Sequence, residues 1–266
     1  MIKILTLTLC IFYSGSIIAN ANKPEQSSES HSAATQQASN KEKQRGFLYG
    51  MGIAFNQEIY QGYNKRIIPI PFIGYQGEKL KVLGPFISYD IASSDNATIA
   101  VIVAPTFKGF DESDSDVFIG MKKRSSSVAA GIGLRYNWHN WKANIANTHD
   151  ILSKSNGHII TASLARTFNK GPIFIEPSLT LTYQDSNYVD YYYGVKQHEQ
   201  LASRVAYTGQ SALNTSLGLS ISTPIFFNGF TRLSTQYTRY DSSITNSPLV
   251  DEEASLSVTL LFSRFF

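Results

Sequence analysis

Cysteine is almost missing from this chain: one residue in 266, Cys10. A disulfide needs a pair and a thiolate zinc site needs several, so neither can be built here. Charge is scarce too, at 16% of residues, where soluble proteins average about 25%. The formal net charge of +3 is too small to argue for a nucleic-acid partner. Beyond the first residues no run approaches the ~18 consecutive apolar positions of a membrane helix. The five histidines, His31, His139, His149, His158 and His198, do not fall at metal-ligand spacing, and no cofactor motif is present. No G-x-S-x-G elbow occurs. The one hydrolase-like grouping is His149-Asp150 near Ser153 and Ser155. No catalytic residue, metal site or cofactor is expected, and the chain reads as a non-enzyme.

The N-terminus carries an address. MIKILTLTLCIFYSGSIIANA has Lys3, an apolar run from Ile4 to Ile18, and Ala19-Asn20-Ala21 as a small-residue cleavage site. This predicts a cleaved signal peptide over residues 1–21. Leu9 is bulky where a lipoprotein needs a small residue before its cysteine, so Cys10 should leave with the signal. Residues 22–45 contain almost no large apolar side chain and predict a disordered polar linker. From Gly46 the composition changes, and residues 46–266 read as one domain.

That domain is rich in aromatics, with 15 tyrosines and 16 phenylalanines, and it alternates. In SLSVTLLFSRFF, Leu256, Val258, Leu260, Phe262 and Phe266 share one face, opposite Ser255, Ser257, Thr259 and Ser263. VAAGIGLRYNW, IFIEPSLTLTY and SALNTSLGLSI repeat the pattern; FLYGMGIAF, LGPFISYDI, ATIAVIVAPTF, HIITASLARTF and FTRLSTQYTRY follow it less strictly. The runs are about ten residues long with aromatics at their ends, and their polar faces hold Ser, Thr, Asn and Gly. Soluble strands are nearer ~5–6 residues. The predicted fold is therefore all-β: a transmembrane antiparallel barrel in the outer membrane of a Gram-negative cell. Its surroundings would be bilayer lipid and lipopolysaccharide. A C-terminal strand ending in Phe266 is the signal expected by the barrel-insertion machinery.

Short turns are expected near Phe227-Asn228-Gly229, Asn169-Lys170-Gly171 and His139-Asn140, and long connections at 109–124, 151–157, 185–206 and 241–253. These alternate correctly for a periplasmic C-terminus. Eleven strands can be counted, an odd number, so about twelve are expected with ten as the alternative. The ambiguity lies between residues 60 and 96. IIPIPFIGY is the least secure strand there, because Pro69 and Pro71 cannot donate to a ladder. On this phase Arg135, Lys142, Glu176, Arg232 and Gln236 point into the lumen, either lining a pore or pairing to plug it.

Two stretches go beyond barrel physics: DYYYGV, with Tyr191, Tyr192, Tyr193, Gly194 and Val195, and NSPLVD, with Ser247, Pro248 and Leu249. With GMGIAFNQEIYQGY and the terminal phenylalanine, they give a chain that resembles the MipA/OmpV family over residues 46–266. The resemblance implies a barrel that scaffolds murein (peptidoglycan) enzymes at the cell envelope, with a lytic transglycosylase and a penicillin-binding protein as partners. A small channel or an adhesin is the alternative. The family supplies no catalytic set.

Three loop features remain. DESDSD, residues 111–116, starts like a calcium loop but lacks the Gly at position 6 and the Glu at position 12 of an EF-hand. Lys122, Lys123 and Arg124 are candidates for lipopolysaccharide phosphates. The YYYGV tyrosines read either as a binding patch or as interfacial and loop packing.

Overall fold

The computed structural model describes residues 45–266. The predicted signal peptide and all but the last residue of the tail lie outside the described residues. The strands are β1 (Gly46–Tyr60), β2 (Tyr63–Gln76), β3 (Leu80–Leu83), β4 (Phe86–Ser93), β5 (Ala97–Pro105), β6 (Val128–Trp138), β7 (Trp141–Asp150), β8 (His158–Arg166), β9 (Phe168–Lys170), β10 (Ile173–Gln184), β11 (Ala212–Thr223), β12 (Phe230–Arg239) and β13 (Ala254–Phe265). β8 and β9 both pair with β10 and are one strand interrupted at Thr167. Each strand pairs antiparallel with its chain neighbour, and β13 pairs with β1. The result is a closed barrel of twelve strands.

Side-chain phase follows the alternation. Ile132, Leu134, Tyr136 and Trp138 of β6, and Leu213, Leu217, Leu219 and Ile221 of β11, are exposed on the outside. Asn214, Ser216 and Ser222 of β11 are buried inside. Phe266 extends the outer row: its N–H donates to the Phe47 carbonyl at 3.0 Å, and its ring lies 5.0 Å from that of Tyr49.

The strand that periodicity missed is β3, four residues long. LGPFISYDI is not one strand: Leu83 ends β3, Phe86 begins β4, and Gly84 turns between them at φ +54°. The prolines of β2 have a physical explanation. Gly84 donates to the Ile73 carbonyl at 3.1 Å, so the odd-numbered backbone groups of β2 face away from β1. Above Gly74 that edge has no strand partner among the described residues, because β3 pairs only with Gly74, Tyr75 and Gln76. Pro69 and Pro71 sit on the open edge, where no ladder donor is required.

One end of the barrel has short turns, as at His139-Asn140 and Gly171-Pro172. The other end carries the connections 106–127, 151–157, 185–211 and 240–253. By loop length the short-turn end, which holds Phe266, is periplasmic. The long connections contain helices α1 (Ser186–Tyr193) and α2 (Ser242–Thr245). Asp185 caps α1 by accepting from the Tyr188 N–H, and Asp241 caps α2 through Ser243.

Candidate functional site

Three long connections fold onto one another over the external mouth. Their shared core contains Ile59, Tyr60, Phe110, Phe118, Met121, Tyr188, Val189, Tyr192, Tyr193, Ile244 and Leu249. Ala212 belongs to it and Tyr63 and Ile159 pack against it, so the cluster touches β1, β2, β8 and β11 and bridges the ring. The Tyr60 ring stacks on Tyr193 at 5.4 Å, and Phe110 stacks on Phe118 at 3.9 Å. Such pairs add about 0.5–1.5 kcal/mol each beyond area burial.

Both sequence motifs lie in this cap and meet there. Ser247 donates its hydroxyl to the Tyr193 carbonyl at 2.6 Å. Tyr60 donates to the Tyr192 carbonyl at 3.1 Å, and Tyr192 donates to the Ser125 carbonyl at 3.2 Å. Tyr191 accepts from the Ser125 N–H at 2.9 Å. At Gly194 a Cβ would lie 2.3 Å from the Asp190 carbonyl oxygen, closer than any side chain tolerates. Val195 pairs with Tyr207, Leu249 is fully buried and Pro248 half-buried beside it. Tyr192 and Tyr193 are thus buried in the loop core, and Tyr191 packs against it half-buried.

A buried charge cluster locks the cap. Arg124 holds Glu199 with two bonds, at 2.7 and 3.0 Å, and donates to the Tyr191 carbonyl at 2.8 Å. Glu199 also accepts the N–H groups of Lys122 and Lys196. Burial alone would raise the Glu199 pKa; Arg124 and the two N–H donors outweigh it and bring the carboxyl down to about 2. Arg204 donates to the carbonyls of Val117, Ile119 and Glu199, tying two connections together. Arg124 is thus held inside the cap, while Lys122 and Lys123 of the proposed lipopolysaccharide trio are exposed, Lys123 lying 3.0 Å from Asp111.

The hydrolase-like grouping does not assemble. Asp150 accepts from the hydroxyls of Ser127 and Ser155 and from the N–H groups of Leu152, Ser155 and Asn156, as a turn organiser. His149 lies instead against His158, with the ring centroids 4.2 Å apart and the rings tilted. Asp111 and Asp114 bond to each other's turn, and no His/Cys/Asp/Glu group suited to a metal occurs among the described residues.

Below the cap, Arg135, Lys142, Glu176 and Arg232 are held in ion pairs. Glu176 binds Arg232 at 3.2 Å and also Lys142, with the Thr167 hydroxyl donating at 2.8 Å. Arg135 binds Asp90 at 2.6 Å, and Lys81 takes the second Asp90 oxygen. Glu58 meets Arg66 at 3.3 Å higher up. Asp90, Lys81, Glu58 and Arg66 were missed by sequence reading. Asp90 was findable, since it shares the buried phase of Phe86 and Ser88; Lys81 lies on the unrecognised β3.

Comparison with known proteins agrees with this architecture. The family model described as "MltA-interacting protein MipA" matches residues 49–266. The chain is similar to outer membrane protein YiaT of Escherichia coli strain K12, 30% identical over 222 residues, covering 81% of this chain and 89% of that one. It is 26% identical to outer membrane protein OmpV of Vibrio cholerae over 180 residues, covering 67% and 70%. Against the MltA-interacting protein of Escherichia coli strain K12 it is 23% identical over 209 residues, covering 77% and 84%. With a family match over nearly the whole described barrel, the chain belongs to the MipA/OmpV family of outer-membrane proteins.

Proposed function

We propose that this protein is a non-enzymatic scaffold of the cell envelope, holding a lytic transglycosylase and a penicillin-binding protein at its short-turn, periplasmic end. The observation that supports this reading is the cap. A packed aromatic core bridges the external mouth, and the lumen charges are tied into pairs. That is the build of a rigid anchor rather than of a passage. A relative named for interacting with MltA points the same way. The test is co-purification of the intact, detergent-extracted barrel with each murein enzyme. Retention of both supports the scaffold; retention of neither, with the barrel folded, overturns it.

A second reading, a small channel, is favoured by one feature. The lower lumen places Lys81, Arg135, Lys142 and Arg232 against the carboxylates of Asp90 and Glu176. Such a lumen would favour anions. Stepwise conductance in planar bilayers that changes on Glu176→Lys or Arg232→Glu would support this reading.

A further inference from the structure

We infer that the barrel wall has a lateral break above β3 and that an acyl chain of a bilayer lipid lies in it. From Tyr63 to Phe72, β2 is paired with β1 on one side and with no strand on the other among the described residues. The next wall elements, β4 and β5, begin pairing with each other at Ile87 and Val103 and make no ladder with β2. The break lies in the lipid-facing belt. The residues beside it, Ile67 and Ile73 on β2 and Ile87 at the top of β4, are all exposed on the outer face.

What lies behind the break is apolar, unlike the rest of the lumen. Ala54, Ile68, Phe86 and Ala104 form a buried cluster with Ile70 and Phe107 packed against it. Phe107 reaches this place with φ +36°, a left-handed conformation that a phenylalanine rarely adopts. Its ring meets Phe86 at 6.1 Å, and Arg66 donates to the Phe107 carbonyl. The first connection residues therefore pass behind the break and close it with carbon rather than with backbone pairing.

The edge itself selects the occupant. A strand from another chain, or from residues 1–44, would need donors along β2, and Pro69 and Pro71 withhold two of them on the open side. In hydrocarbon an unpaired N–H is costly, and the same two prolines remove that cost. An edge poor in donors, opening on the bilayer and backed by Ile70 and Phe107, suits an acyl chain.

The experiment places a bimane label at Ile70→Cys in a Cys10→Ser background, in vesicles of phosphatidylcholine brominated in mid-chain. Ile70 has the inward phase, so an intact wall would shield it. Leu219→Cys, outward, and Ser220→Cys, inward under paired β10 and β12, set the two limits. Heat-modifiable gel mobility checks folding of each variant. Quenching at position 70 close to that at 219 supports the inference. Quenching as low as at 220 overturns it, whether a strand, a second copy or the wall itself shields the site. Phe107→Cys gives the same reading should Ile70→Cys not fold.

Discussion

At the residue scale the cap depends on Glu199 and Arg124. Arg124→Ala would leave the Glu199 carboxylate buried without its main cation, a loss of about 3–5 kcal/mol. The expected outcome is rapid protease cleavage of connections 106–127 and 185–211 in a barrel that stays heat-modifiable. The pH dependence has a definite sign. The folded Glu199 carboxyl is depressed to about 2, below the unfolded value of ~4.3. Its contribution is therefore complete above ~4.3 and lost as pH falls toward 2. Loop proteolysis by an acid-stable protease should rise across that window in the wild type and stay flat in Glu199→Gln. Period-2 alternation puts Arg135, Lys142, Glu176 and Arg232 on the polar phase of their strands, and the structure pairs them there. The alternation could not reach Arg124–Glu199, whose partners are 75 residues apart and meet only after the ring closes.

At the element scale β2 makes an unusual prediction. Replacing Pro69 and Pro71 by valine improves strand propensity. It also installs two N–H donors on an edge that no strand covers, at about 1–3 kcal/mol for each donor left unsatisfied. The double variant should lower the urea midpoint of the refolded barrel, and an unchanged or raised midpoint would show that the edge is paired. The prolines made this strand look insecure in the sequence, and β3 was invisible there: LKVL is too short to show a period. Those two gaps have one cause, since the short β3 is what leaves the proline edge open. The last strand carries a different expectation. Phe266 is 84% exposed, with its ring against Tyr49. An interfacial ring realises only part of the ~1.5–3 kcal/mol of full burial. Phe266→Ser should thus accumulate as protease-sensitive periplasmic material while refolding normally in detergent, and Ser263→Ala, on the inner face, should insert like the wild type.

At the scale of the whole molecule, the barrel was legible because each strand declares its own two faces. The cap was not, because connections that sit up to 140 residues apart in sequence share one core only in the closed ring. The tyrosine run was visible as a motif, but its burial was not. Paired charges below the cap add rigidity: Glu176→Gln would leave Lys142 and Arg232 facing each other without their shared carboxylate. Removing one partner of such a pair costs about 3–5 kcal/mol when it is buried, and somewhat less here, where the two cations keep partial exposure. The temperature at which the folded gel band disappears should fall accordingly. On the proposed reading the packed cap closes the external mouth, so that this barrel is an anchor rather than a passage. Single-protein recording in planar bilayers tests it most directly. A flat trace is expected for the wild type and discrete openings for Arg124→Ala. Steady stepwise conductance of the wild type, equal to that of the variant, would contradict it.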